Sequence, residues 1–306
     1  MTKRHNARAK QGDVLYATAG SHTDRALGVH QKRGPFMKQL ALSATFLCAM
    51  ALPAFAAGEA WDDIRETLFG ERVLLDGTSV IAVDAPYRTY DDARTDLAAQ
   101  IVAPQGTLVH KVTVVLDENP MPVSAVFDLE VPQSSFYFDI TMRVNGPTPL
   151  HVVAETVDGR VFVAEQLVKT SGQGACAAPP GTDPELALAS LGNMQIDVAD
   201  GVPGVGAGKL NSLASRLNRL DVDISHPSHS GMQMDQITLL FLPMRYVETV
   251  DIDLDGAGFV NITGSISLSE NPRVGLSVPR RTQSVDVTMV DTDGTVATAH
   301  KTLPGF

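Results

Sequence analysis

From residue 79 to residue 301 the chain is a succession of short apolar or alternating runs, cut by Gly, Pro and Asp-Gly turns. Alternation with period two marks a half-buried strand, and runs this short close most readily into sandwiches or barrels. The first half offers strands at 79–83, 96–102, 111–116, 125–131, 136–144, 150–156 and 160–169. Residues 96–102, DLAAQIV, fit a helix as well as a strand. Val157-Asp158-Gly159 reads as a hairpin turn. A second set lies at 194–198, 217–225, 244–254, 259–267, 273–278, 284–290 and 295–301, with hairpin signals at Asp255-Gly256 and Asp293-Gly294. About seven strands in each half predict an all-β chain of two immunoglobulin-like β-sandwich domains. No extended repeat links the halves; only the architecture recurs. Two short helices punctuate the pattern. One spans 61–69, WDDIRETLF, and stops at Gly70. The other runs to Leu191 from the N-cap Asp183 and Pro184, and stops at Gly192.

The amino terminus has a different character. Residues 37–56, MKQLALSATFLCAMALPAFA, combine a basic start, a short apolar stretch and an Ala-Phe-Ala cleavage site. That is the pattern of a secretory signal peptide, and the apolar run is shorter than the ~20 residues of a membrane span. The expectation is a periplasmic protein with no span after cleavage. Residues 1–36 are polar, basic and without periodicity, and read as an upstream extension before the true start. The remaining divisions are a sandwich at 57–170, an arm and linker helix at 171–192, and a sandwich at 193–306. Residues 200–208, glycine-rich, read as a linker insertion within the second sandwich. Removing residues 1–56 takes away eight basic and two acidic residues, so the formal charge moves from −11 to −17. So acidic a surface excludes nucleic acid and anionic lipid as partners.

Cysteine use sharpens the picture. Of two cysteines, Cys48 falls in the signal and leaves with it, so Cys176 stands alone. A lone cysteine in an oxidising compartment forms no internal disulfide. Its neighbours Gly172, Gly174, Ala175 and Ala177 are small, which predicts a slender, flexible, exposed arm. No cation adjoins it in sequence, so an ordinary thiol titrating near ~8.5 is expected. A carrier thiol and an incidental linker cysteine or disulfide dimer are both consistent with that. A second cluster, His226, His229, Met232 and Met234, is a weak copper candidate, since copper accepts imidazole and thioether; a plain loop is the alternative. Asp251, Asp253 and Asp255 imitate a calcium loop, but Ile262 stands where the closing glutamate belongs. There is no G-x-S-x-G, P-loop, H-E-x-x-H or C-x-x-C, so neither a catalytic motif nor a cofactor site is expected.

Several motifs together resemble a known family. Trp61-Asp-Asp-Ile, Leu116-Asp-Glu-Asn-Pro120, Phe127-Asp-Leu, Arg143 and Leu167-Val-Lys169 leading to a cysteine arm resemble the SoxY subunit of the sulfur-oxidation carrier. Ile224-Ser-His-Pro227, Ser230-Gly231-Met232, Ser269-Glu-Asn-Pro272 and Val287 through Asp291-Thr-Asp-Gly294 resemble SoxZ. Both in one chain are similar to the fused SoxYZ-like carriers associated with quinoprotein dehydrogenases, and 226–238 is especially like that group. The resemblance implies a carrier rather than an enzyme, with Cys176 holding a sulfur or other thiol-linked intermediate covalently. The implied partners are periplasmic redox enzymes such as a quinoprotein dehydrogenase or cytochrome c. The family arm is a free GGCGG tail. Here it reads GACAA and continues into the second domain. The alternative is a non-covalent docking module for the same partners, with Cys176 incidental.

Overall fold

A computed structural model describes residues 59–172, 174–201 and 217–303. The proposed extension at 1–36, the signal at 37–56 and most of the glycine-rich stretch at 200–208 lie outside the described residues. The first module opens with helix α1 (Glu59–Phe69). Its strands are β1 (Leu74–Asp76), β2 (Ile81–Asp84), β3 (Thr95–Val102), β4 (Val109–Leu116), β5 (Val123–Gln133), β6 (Ser135–Met142), β7 (Thr148–Thr156) and β8 (Val161–Val168). Helix α2 (Pro184–Ala189) precedes the second module, whose strands are β9 (Met194–Asp200), β10 (Leu217–Ile224), β11 (Val247–Leu254), β12 (Ala257–Thr263), β13 (Arg273–Pro279), β14 (Ser284–Asp291) and β15 (Val296–Thr302). The all-β expectation holds. Residues 96–102 are strand β3, because Leu97, Ala99 and Ile101 point into the core at strand spacing. Strand β1 has only three residues and no period to read.

The two modules pack on each other and are joined by more than the arm. Both sheets run through them without a break. The larger sheet has the order β1-β8-β7-β4-β5-β12-β11-β14-β15, and the smaller one β2-β3-β6-β13-β10-β9. The joins are antiparallel. Phe127 on β5 pairs with Ile262 on β12, and Asp139 on β6 pairs with Gly275 on β13. Setting β1 aside, β8-β7-β4-β5 has its counterpart in β15-β14-β11-β12, and β2-β3-β6 in β9-β10-β13. The seven-strand plan therefore occurs twice, and each module covers the sheet edges that the other would expose.

Burial explains why the edges join. Phe127, Phe136 and Phe138 are fully buried, with Phe127 stacked 4.6 Å from Phe138. They share one apolar core with Leu220, Ile252 and Leu276 of the second module. On the other face of the smaller sheet, the buried carboxylate of Asp139 accepts from Arg219 at 2.5 Å and from Arg273 at 3.4 Å, both across the junction. Gly275 makes room for it: a Cβ there would lie 3.2 Å from the Asp139 carboxyl. In the first module, Trp61 of α1 stacks on His151 of β7 at 3.7 Å and 7°.

Candidate functional site

The arm leaves β8 and passes between the two modules. Its start is pinned by Asp92, whose carboxylate accepts from the Ser171 amide at 3.0 Å and from the Ser171 hydroxyl. Its far end is pinned by Glu270, whose two oxygens accept from the amides of Gly181 at 2.7 Å and Thr182 at 2.9 Å. Between these pins, Gly172 and Gly174 take φ of +86° and +70°, the left-handed region that favours glycine. They bend the chain into a single 3-10 turn over Ala175–Ala177.

Cys176 sits in that turn, and it is buried rather than exposed. The expectation of a bare stalk is corrected. The small neighbours that read as flexibility let Ala175 and Cys176 fit into the crevice between the modules. Three bonds hold the turn there. The Cys176 amide donates to Asn145 Oδ1 at 3.1 Å, the Ser230 hydroxyl donates to the Cys176 carbonyl, and Gln233 Nε2 donates to the Ala178 carbonyl at 2.9 Å. Burial pushes the thiol pKa up to about 11, against the opposing pull of the Arg143 guanidinium. Sequence proximity could not reveal that cation. Arg143 follows β6 and comes beside Cys176 only through the fold.

The short motifs scattered along the sequence converge on this crevice. In Leu116-Asp-Glu-Asn-Pro120, Asn119 donates to the Arg143 carbonyl at 2.8 Å and accepts from the Asn145 amide at 2.9 Å. That sets both residues that face the arm. In Ser269-Glu-Asn-Pro272, Glu270 pins the arm and Asn271 Oδ1 accepts from the His226 amide at 3.0 Å. The loop from His226 to Met234 supplies Ser230 and Gln233. Arg143 itself is buried, and its Nη1 donates to the carbonyls of Ile266, at 3.3 Å, and Leu268. A cavity of about 820 Å³ opens beside the arm, with Arg143, Ala178, Gln233 and Glu270 on its wall.

The weak copper candidate looks different in three dimensions. His226 has neither ring nitrogen free. Its Nδ1 accepts from the Ser228 amide at 2.9 Å and its Nε2 faces Asp291 at 3.3 Å. Asp291 is also bound by Arg245 at 2.8 Å. His226 therefore braces the loop that holds the arm. His229 is half-buried, and Met234 is exposed on a bridge to Phe241. Beyond it, Ile237, Leu239, Leu240 and Phe241 form an exposed apolar tip, from 65% to 92% accessible. Sequence reading passes over this tip, although the run of apolar residues from 239 to 242 is the signal that marks it.

Burial pushes the pKa of His226 down to about 4, with Asp291 pulling the other way. An unfolded histidine titrates near ~6.5. Between these values the unfolded chain binds the extra proton, so the brace contributes its full stability above about pH 6.5 and loses it as pH falls towards about 4. We expect a loss of about 2–3 kcal/mol from this group across that window. Urea unfolding of the wild type and of His226→Asn at several pH values measures it. The variant should show the shallower slope, and identical slopes would refute the assignment.

The fold and the site define a class: a double β-sandwich closed around one cysteine-bearing turn, with short motifs from both modules gripping it. The family models say which class it is. The model described as "Sulfur oxidation protein SoxY" matches residues 65–176, ending on Cys176, and the one described as "Sulphur oxidation protein SoxZ" matches residues 211–302. The chain carries a SoxY-like and a SoxZ-like domain fused in one polypeptide, and these two families imply a sulfur-oxidation carrier or partner protein. No curated protein matches the chain. No helix among the described residues is long and apolar enough to cross a membrane.

Proposed function

We propose that the chain is a periplasmic carrier that holds a sulfur or other thiol-linked species covalently on Cys176 and presents it to redox enzymes such as a quinoprotein dehydrogenase or a cytochrome c. The observation that carries this reading is the way the cysteine turn is held. Both ends of the arm are pinned to carboxylates, while the turn itself rests on three hydrogen bonds that a partner's own polar groups could replace. In the closed state the thiol is shielded and protonated, hence unreactive. In an open state it regains an ordinary thiol pKa and becomes a nucleophile. The two pins bound the reach of the loop, so a partner must bring its own site close to the crevice.

The test is the intact mass of the protein from periplasm, with and without reduction. A reducible adduct that maps to Cys176, and is absent from Cys176→Ser, is expected. A bare thiol under all growth conditions, alcohols included, would overturn the covalent reading. It would favour a non-covalent docking module instead, a reading supported by the exposed apolar tip at Ile237, Leu239, Leu240 and Phe241.

A further inference from the structure

We propose that the cleft at the far end of the module junction binds a small, neutral, mostly apolar molecule that carries a hydrogen-bond-accepting oxygen, as a ketone does. This site is separate from the cysteine arm and does not rest on the carrier reading. The two ladders that join the modules are short. Pairing of β5 with β12 runs out at Leu129 and Val260, and pairing of β6 with β13 at Phe138 and Leu276. The strands themselves continue, β5 to Gln133, β6 back to Ser135 and β13 to Pro279. Pro132 and Pro279, which have no N–H to offer a ladder, lie beyond the last inter-module pairs. The modules part here, and the wedge between them is a cavity of about 430 Å³. Ser135 opens β6 and Arg143 follows its other end, so the cleft lies a strand's length, roughly 25 Å, from the crevice that holds Cys176.

Leu108, Val131, Pro132, Leu217, Phe259 and Pro279 make the walls mainly apolar, and the volume falls in the ~300–1,000 Å³ range of small-molecule sites. Leu108 and Val131 are 38% and 52% exposed, so a ligand would cover apolar surface that neither module covers. Among the described residues no charged side chain lines the cleft, which disfavours an ionic ligand, since its charge would be buried without a partner. Two polar side chains set the remaining requirement. Ser135 is 8% exposed, and its Oγ has no hydrogen-bond partner among the described residues. The Nε2 of Gln133 is equally shielded and equally unpartnered. Both groups can donate. A buried donor without an acceptor costs free energy that a bound oxygen returns, and a carbonyl oxygen has two lone pairs, one for each donor. Rotation about the side-chain torsions of Gln133 and Ser135 brings the two donors onto a ligand in the cleft that their residues line.

Acetophenone and α-methylstyrene test this on the full chain, because they share a shape and differ only in C=O against C=CH2. Binding is followed at millimolar concentrations in amide proton–nitrogen correlation spectra. Acetophenone should shift the Gln133 side-chain NH2 signals together with the backbone amides of Val131 and Ser135. α-Methylstyrene should shift the backbone amides alone. Gln133→Leu should weaken acetophenone roughly fivefold, the net worth of one hydrogen bond, and leave α-methylstyrene within about twofold. Ser135→Ala should weaken acetophenone in the same sense. If neither compound moves these signals, the cleft takes no such ligand and the proposal falls. If the Gln133 NH2 signals answer to both compounds or to neither, the cleft is an apolar slot and the assigned oxygen is wrong. Both outcomes are read on the wild type, so they stand even where a variant fails to fold. Cys176→Ser should bind acetophenone as the wild type does, and a loss there would overturn the independence of the cleft from the arm.

Discussion

Replacing Ser230 and Gln233 together by alanine is expected to raise the alkylation rate of Cys176 by roughly thirtyfold, from the loss of the two hydrogen bonds that reach the arm, ~1 kcal/mol each. The Ser230 hydroxyl and Gln233 Nε2 hold the carbonyls of Cys176, within the turn, and of Ala178, at its end. Alkylation of a buried thiol proceeds from the opened arm, so its rate follows the opening equilibrium when opening and closing outpace the reagent. The rate in urea gives the ceiling. Asp92 and Glu270 are untouched in this variant, so the arm should open between fixed ends while the sandwich keeps its melting temperature. Rates unchanged from wild type, or a wild-type rate already at the urea ceiling, would show that the closed arm is not the resting state.

The fold was far more legible in the sequence than the site. Alternation matches the burial pattern from Arg219 to Ile224 in β10 and from Ser284 to Met289 in β14, because one face of each strand meets the core. The strands at the junction are different. All eight residues of β6 are buried, since β3 and β13 flank it and Arg219 covers Asp139 on its outer face. Its sequence, SFYFDITM, alternates like a half-buried strand, and nothing in it says that a second module will pair with it. The same gap explains Cys176. Glycine and alanine are silent about whether they bend freely or pack tightly, and here the crevice between modules decides. Arg143 and Asn145 come from the segment after β6, and Ser230 and Gln233 from the loop after β10, so no spacing rule joins either pair to Cys176. What the sequence did carry was the set of short motifs, several of which converge on the arm.

Phe127→Ala is expected to destabilise the protein by about 3–5 kcal/mol and to release both modules at once. Phe127 is fully buried, stacks on Phe138, lies 5.7 Å from Phe136, and pairs through its backbone with Ile262 of the other module. Truncation leaves a cavity at the join, where neither sheet can collapse independently because each crosses to the other side. The chain has one tryptophan, and Trp61 reports on the first module through its stack with His151. Cys176 reports on the crevice between modules. If the two sandwiches are one folding unit, the loss of Trp61 fluorescence and the full exposure of Cys176 to alkylation should occur at the same urea concentration. In the variant both should move together to a lower one. A fluorescence transition well separated from thiol exposure would mean that the first module stands alone, and that the crevice is a docked interface rather than a shared core. Coincident transitions would instead make the thiol's shield as stable as the protein itself, so that in the native state only a local event at the arm can uncover it.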